Sequence, residues 1–244
     1  VKLASGDEAA RADLRIVLTA MHGVGASMTA RVLAEAGFAN VSLVAAQAEP
    51  DPDFPTVPFP NPEEAGALDM AIEQARAEGA DLIIAVDPDA DRCALAVPDP
   101  GAEAGWSPLS GDQIGCLLGE FLAARGLEGS LANSIVSSRL LARIAEAHGL
   151  VHHTTLTGFK WIARAPKLAF GYEEAIGFCP NPEIARDKDG IASSVVAASL
   201  FAALKVEGRT AWDELDRLAH VHGLHVTGPL TFRVEEIEQI AAGM

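Results

Sequence analysis

Asp87-Pro88-Asp89-Ala90-Asp91-Arg92 puts three carboxylates and a guanidinium directly after the apolar run Leu82-Ile83-Ile84-Ala85-Val86. The run reads as a buried strand, so the charged residues fall where the chain leaves a sheet and meets solvent. Carboxylates at alternate positions, released from strand geometry, can turn their oxygens onto one hard cation. Mg²⁺ prefers such a set, a few carboxylates completed by water and substrate phosphate. An arginine next in sequence suits the phosphate that accompanies the ion.

Asp and Pro clusters are also ordinary turn chemistry. Three Asp within five residues go further, because like charges repel unless a cation or an arginine offsets them. An EF-hand is excluded: counting from Asp87, the sixth position is Arg92 rather than Gly and the twelfth is Pro98 rather than Glu. A strand ending in Asp-x-Asp also resembles the opening motif of haloacid-dehalogenase-type phosphatases, which would make Asp87 a nucleophile and Asp89 a general acid. Those enzymes place Thr or Val two residues later and near the N-terminus, whereas here Asp91 follows in mid-chain.

Further stretches carry chemistry. Gly171-Tyr172-Glu173-Glu174-Ala175-Ile176-Gly177 offers paired carboxylates in a Gly-bracketed loop, able to accept hydrogen bonds from vicinal hydroxyls. In Asp187-Lys188-Asp189-Gly190, Asp189 is placed to cap a helix and Lys188 to meet a phosphate or carry a proton. Thr157-Gly158-Phe159-Lys160-Trp161 occupies a strand-to-helix turn, where free amides and a lysine suit an anion. Thr19-Ala20-Met21-His22-Gly23-Val24-Gly25 lacks both Gly-x-Gly-x-x-Gly and Gly-Lys-Ser/Thr, so it is neither a dinucleotide site nor a P-loop, and His22 is expected to make a structural hydrogen bond. The other histidines lack the Cys or carboxylate grouping of a zinc site.

The elements that must position these residues follow from periodicity. Strands are expected at 14–19, 41–44, 82–86 and 93–97, with helices at 27–36 and 68–77. After a helix at 113–124 come strands at 134–136, 152–156 and 168–172. Helices are expected at 138–148, around Trp161, at 190–206 and at 210–222. This alternation implies α/β layering, with helices covering sheets. The five prolines between Pro52 and Pro62 make a long loop. Gly126-Leu127-Glu128-Gly129 suggests a break, giving units 1–125 and 126–228, with 229–244 as a linker or the start of another domain. The shared rhythm of the two halves is compatible with an internal duplication.

Composition sets outer bounds. The 244 residues are 49% hydrophobic and 21% charged, enough for one large or two ordinary domains with proper cores. With 18 Lys+Arg against 34 Asp+Glu the net charge of −16 opposes binding to nucleic acid or an anionic membrane, so an anionic substrate needs a local basic pocket. Cys93, Cys116 and Cys179 are widely spaced and odd in number, which fits a reducing, cytoplasmic setting. The apolar stretch 191–204 is too short to span a bilayer and reads as a buried helix. No signal-peptide core opens the chain, and its first residue is Val1, so a piece of a longer protein is expected.

In order, the motifs at 19–25, 87–92, 157–160, 171–177 and 187–190 resemble those of the second and third domains of the α-D-phosphohexomutase superfamily, nearest the phosphomannomutase and phosphoglucomutase/phosphopentomutase branch. The resemblance covers nearly the whole chain. It implies two three-layer α/β/α domains with mixed sheets, taken from a four-domain parent. By resemblance, Asp87, Asp89 and Asp91 bind Mg²⁺ and Arg92 lies near the transferred phosphate. Thr157, Gly158 and Lys160 lie opposite, Glu173 and Glu174 bind sugar hydroxyls, and Lys188 helps with phosphate or proton transfer. Ala175 stands where relatives carry serine and has no hydroxyl to offer. The implied activity moves phosphate between C1 and C6 (or C5) of a hexose or pentose phosphate through a bisphosphate. The family's Ser-His-Asn-Pro phosphoserine loop and its Ser-Gly-Thr phosphate clamp occur nowhere here. A piece holding only the metal and sugar loops is therefore expected not to turn over, its missing partners being domains 1 and 4. A sugar-phosphate-binding relative without turnover is the non-enzymatic alternative.

Overall fold

The computed structural model describes residues 3, 4 and 6–228. The expected linker at 229–244 lies outside the described residues.

After a short helix α1 (Glu8–Asp13), capped by Asp7, the chain lays down β1 (Arg15–Thr19), α2 (Ala26–Glu35), β2 (Asn40–Leu43), α3 (Asp69–Glu78), β3 (Leu82–Val86), β4 (Cys93–Pro98) and β5 (Trp106–Pro108). These strands form one sheet in the order β2-β1-β3-β4-β5. β1 pairs in parallel with β2 and β3, whereas β3–β4 and β4–β5 are antiparallel. All five residues of β3 are buried, as a strand covered on both faces requires.

The second series is α4 (Gly111–Ala123), β6 (Ser130–Ser134), α5 (Leu140–Ala147), β7 (Val151–Thr155), α6 (Phe159–Ile162), β8 (Leu168–Glu173), β9 (Gly177–Cys179), α7 (Gly190–Val206) and α8 (Ala211–His222). Its sheet runs β7-β6-β8-β9, parallel except for the last pair. The first four strands of each half thus share one order, second-first-third-fourth, and each half turns from parallel to antiparallel at the third strand.

Two expectations need correction. The strand expected at 134–136 runs instead over Ser130–Ser134. Ile135 and Val136, which attracted the assignment by β-propensity, are 65% and 55% exposed. The true strand is polar but satisfied: Ser130 Oγ donates to Pro166 O (2.6 Å) and Asn133 Nδ2 to Ser138 O (2.9 Å). Secondly, α4 lies against β8 and α5: a Cβ at Gly115 would strike the Tyr172 ring and one at Gly119 would strike Leu141 Cδ1. The helix expected to close the first unit thus packs on the second, and we propose that the division falls ahead of Ser110 rather than near 126.

α7 joins the halves. It is apolar on all sides and almost wholly buried, packing on α1, α2, β3 and β4 of the first half and on β9 and α4 of the second. Its serines survive burial by bonding back one turn: Ser193 Oγ to Asp189 O, Ser194 Oγ to Gly190 O and Ser199 Oγ to Val195 O, at 2.7–2.8 Å. Cys93, Cys116 and Cys179 are buried and unpaired, and burial pushes each thiol up to about 12. Among the described residues no single helix is long and apolar enough to cross a membrane.

Candidate functional site

The β3–β4 turn carries Asp87 to Arg92. Asp87 is 1% exposed, and both its oxygens are engaged by Arg92: the backbone N–H donates to Oδ1 (3.0 Å) and Nε to Oδ2 (2.8 Å). Burial pushes its carboxyl up to about 6, against the pull of Arg92. Asp87, Asp89 and Asp91 each bring a carboxylate oxygen within 4.8 Å of the others. Asp91 Oδ1 is buried without a hydrogen bond, 3.6 Å from Arg92 Nε. Three converging carboxylates, with one buried oxygen short of a partner, fit a hard divalent cation.

The β8–β9 turn carries Glu173 and Glu174, and the first turn touches it. Arg92 forms a β-bridge with Gly177, and Cys93 N donates to Ile176 O (3.1 Å). Lys188 and Glu173 close over Gly177, whose added Cβ would lie 2.4 Å from Lys188 Cδ and 3.0 Å from Glu173 Oε1. Lys188 Nζ reaches Asp91 Oδ2 at 2.6 Å and stands 5.7 Å over the Phe159 ring. Burial opposes the Lys188 charge, but Asp91 more than offsets it, so the ammonium sits above the ordinary lysine range. Burial raises the Glu173 carboxyl, and Lys188 pulls the other way.

The structure therefore brings Asp87, Asp89, Asp91, Arg92, Glu173 and Lys188 together where the two sheets meet. Glu174 is turned into the protein, its Oε2 accepting from Ser134 Oγ and Ser137 Oγ at 2.8 Å each. Thr157 and Lys160 are exposed, and the 157–160 turn is tied to the cluster through buried Phe159. His22 makes the expected structural contact, its Nε2 2.8 Å from Thr56 Oγ1.

Sequence reasoning missed the supports. Ser134 and Ser137 hold Glu174, and Tyr172 beneath it donates through its hydroxyl to buried Asp112 Oδ1 (2.8 Å). Ser137 lies in no recognisable motif and Asp112 reads from sequence only as helix-start chemistry, since the supporting role of each depends on a partner at least 37 residues away.

The molecule is two three-layer α/β/α units, with an acidic turn from one meeting a glutamate turn from the other. The chain matches the phosphoglucomutase/phosphomannomutase α/β/α domain II model over residues 2–101 and the domain III model over residues 110–220. It belongs to the phosphoglucomutase/phosphomannomutase family. It is 46% identical over 230 residues to a protein named "Probable phosphomannomutase" of Haemophilus influenzae, covering 93% of this chain and 47% of that one. It is 33% identical over 246 residues to the human phosphopentomutase, covering 93% and 40%. A provisionally assigned phosphomannomutase structure from Thermus thermophilus superposes with a TM-score of 0.75 at 25% identity, over 89% of this chain and 48% of that one. The chain thus spans about half the length of the curated relatives it matches.

Proposed function

We propose that this chain is the metal-loop and sugar-loop half of a Mg²⁺-dependent phosphohexomutase or phosphopentomutase, which moves phosphate between C1 and C6 (or C5) of a cytoplasmic sugar phosphate through a bisphosphate intermediate. The observation that carries the reading is the meeting of Asp87, Asp89 and Asp91 with Lys188 and Glu173 across the Arg92–Gly177 bridge. Asp87, Asp89 and Asp91 hold the cation, which when bound offsets negative charge on the phosphoryl group. Arg92 keeps Asp87 ionised and oriented, and its positive charge lies beside the phosphate. Lys188 presents its ammonium to phosphate oxygen and holds a proton at Nζ for the sugar oxygen. Glu173 accepts hydrogen bonds from sugar hydroxyls, and Glu174 holds the loop in shape through Ser134 and Ser137. The 157–160 turn contributes Thr157, Gly158 and Lys160 on the substrate's far side.

Domains 1 and 4 of the parent supply the phosphoserine and the C-terminal phosphate clamp in this reading. A phosphatase with Asp87 as nucleophile is disfavoured, because Asp91 stands where that motif carries Thr or Val. The test is turnover of glucose 1-phosphate, mannose 1-phosphate and ribose 1-phosphate, each with its bisphosphate, by the full-length protein and by the 244-residue chain. Turnover by the former alone is expected. Robust turnover by the isolated chain, or none by the full-length protein with any of the three, overturns the reading. Phosphate release abolished by Asp87→Asn would favour the phosphatase instead.

A further inference from the structure

Three glycines press on the 87–92 turn without belonging to it. Gly23 and Gly25 follow β1, and Gly190 opens α7. None has a positive φ, so backbone freedom does not explain glycine at these positions. The space does. A Cβ at Gly23 would lie 2.3 Å from Pro88 Cα, and one at Gly25 would lie 2.6 Å from Ala90 Cβ and 3.2 Å from Val86 Cγ2. A Cβ at Gly190 would lie 2.4 Å from Arg92 O and 2.7 Å from Ala90 O. Hydrogen bonds act at the same places: Val24 N donates to Pro88 O (2.8 Å) and Gly190 N to Ala90 O (3.1 Å). The turn is gripped at Pro88 by the segment after β1 and at Ala90 and Arg92 by the start of α7, while its three carboxylates stay clustered.

We infer that Gly25 and Gly190 are positioning residues for the cation, spacers from two halves of the molecule that set how closely Asp87, Asp89 and Asp91 converge. The inference rests on the cation reading of the turn and extends it to residues that touch no ligand. The two contacts differ in kind. Gly25 faces the methyl group of Ala90, which can be removed; Gly190 faces two backbone carbonyl oxygens, which cannot. Ala90 itself has φ 60, a conformation that glycine adopts without strain, so Ala90→Gly is tolerated on both counts. Gly190 is the first residue of α7, and its added Cβ meets backbone oxygens, so Gly190→Ala forces the turn itself to shift.

The experiment is calorimetric titration of the 244-residue chain with Mn²⁺, which suits the same carboxylate set as Mg²⁺. Circular dichroism checks the fold of each variant. Gly25→Ala and Gly190→Ala should each bind Mn²⁺ roughly 10–100-fold more weakly, the usual cost of disturbing a ligand's support. Adding Ala90→Gly should return most of the affinity to Gly25→Ala and none to Gly190→Ala. Folded single variants that bind like wild type overturn the inference, as does rescue of both or of neither. Should Gly190→Ala fail to fold, the Gly25 pair decides. A wild-type chain that binds no Mn²⁺ overturns the cation reading itself, a different failure from wild-type binding that the glycine variants leave unchanged.

Discussion

The β3–β4 turn and the β8–β9 turn occupy the same position in two sheets of the same strand order, yet they are built in opposite ways. The first concentrates three carboxylates and is gripped from outside by backbone, at Pro88 from the β1 turn and at Ala90 from α7. The second spends one of its two glutamates on its own support, Glu174 on Ser134 and Ser137, and leaves Glu173 facing Lys188. A cluster of like charges cannot hold itself together, so the scaffold must hold it. A glutamate pair needs no such grip on its backbone: two side-chain hydroxyls, 40 and 37 residues away along the chain, hold Glu174. The same strand order in both halves has thus placed a three-carboxylate turn and a glutamate turn side by side, joined by the Arg92–Gly177 bridge.

Variants of the full-length protein should break this division of labour in order of size. Asp89 is the exposed member of the carboxylate cluster, so Asp89→Asn should leave stability within about 0.5 kcal/mol of wild type or slightly raise it by relieving repulsion. Its turnover at fixed Mg²⁺ should fall by roughly 10²–10³-fold, the scale set by losing one electrostatic partner of a transition state. Unchanged Mg²⁺ titration would remove Asp89 from the cation turn. Lys188→Met keeps most of the stem over Gly177 but deletes the charge shared with Asp91, and turnover should drop by about 10²-fold. A fall in melting temperature with no kinetic change would make Lys188 a strut between the two turns and nothing more.

The sugar turn should respond in substrate terms. Glu173→Gln retains shape and removes the charged acceptor, worth roughly 1.5–3 kcal/mol in hydrogen bonds to a bound hydroxyl. Steady-state kinetics should register the loss while Mg²⁺ affinity is kept; equal damage to both would erase the distinction between the turns. The smallest effect belongs to the strands beneath. Burial, with His153 adding to it, lowers the His152 pKa below 6.5, and Nε2 stands 3.0 Å from Asn133 Oδ1. A histidine whose folded pKa is depressed stabilises the fold above its unfolded pKa and loses that contribution as pH falls. The melting temperature should therefore decline on acidification from about pH 7 toward about 5, and His152→Gln should make that decline shallower. An NMR titration midpoint for His152 at or above 6.5 would refute the assignment.

Much of this was legible one residue at a time. The alternation of apolar runs and helical periods located β1, β3, β4, β8 and α7, because each buries a face whose pattern is local. The Asp87–Asp91 spacing announced a cluster of converging carboxylates because the strand before it is uniformly apolar, and Asp189 announced a cap because a carboxylate before a helix satisfies free amides, as it does for Ala192 N. The polar strand Ser130–Ser134 was illegible, since its burial depends on acceptors at Pro166 and Ser138 rather than on its own composition. So was the allegiance of α4, decided by Tyr172 and Leu141 filling the space beside Gly115 and Gly119. Which of two adjacent glutamates faces the site was decided by Ser134 and Ser137, and the closeness of Asp91 to Lys188 by α7 crossing from one sheet to the other. Residue types specify what chemistry a turn is able to do; only packing between distant segments brings two such turns within reach of each other, because that distance is set by the volumes between them and by no pattern along the chain.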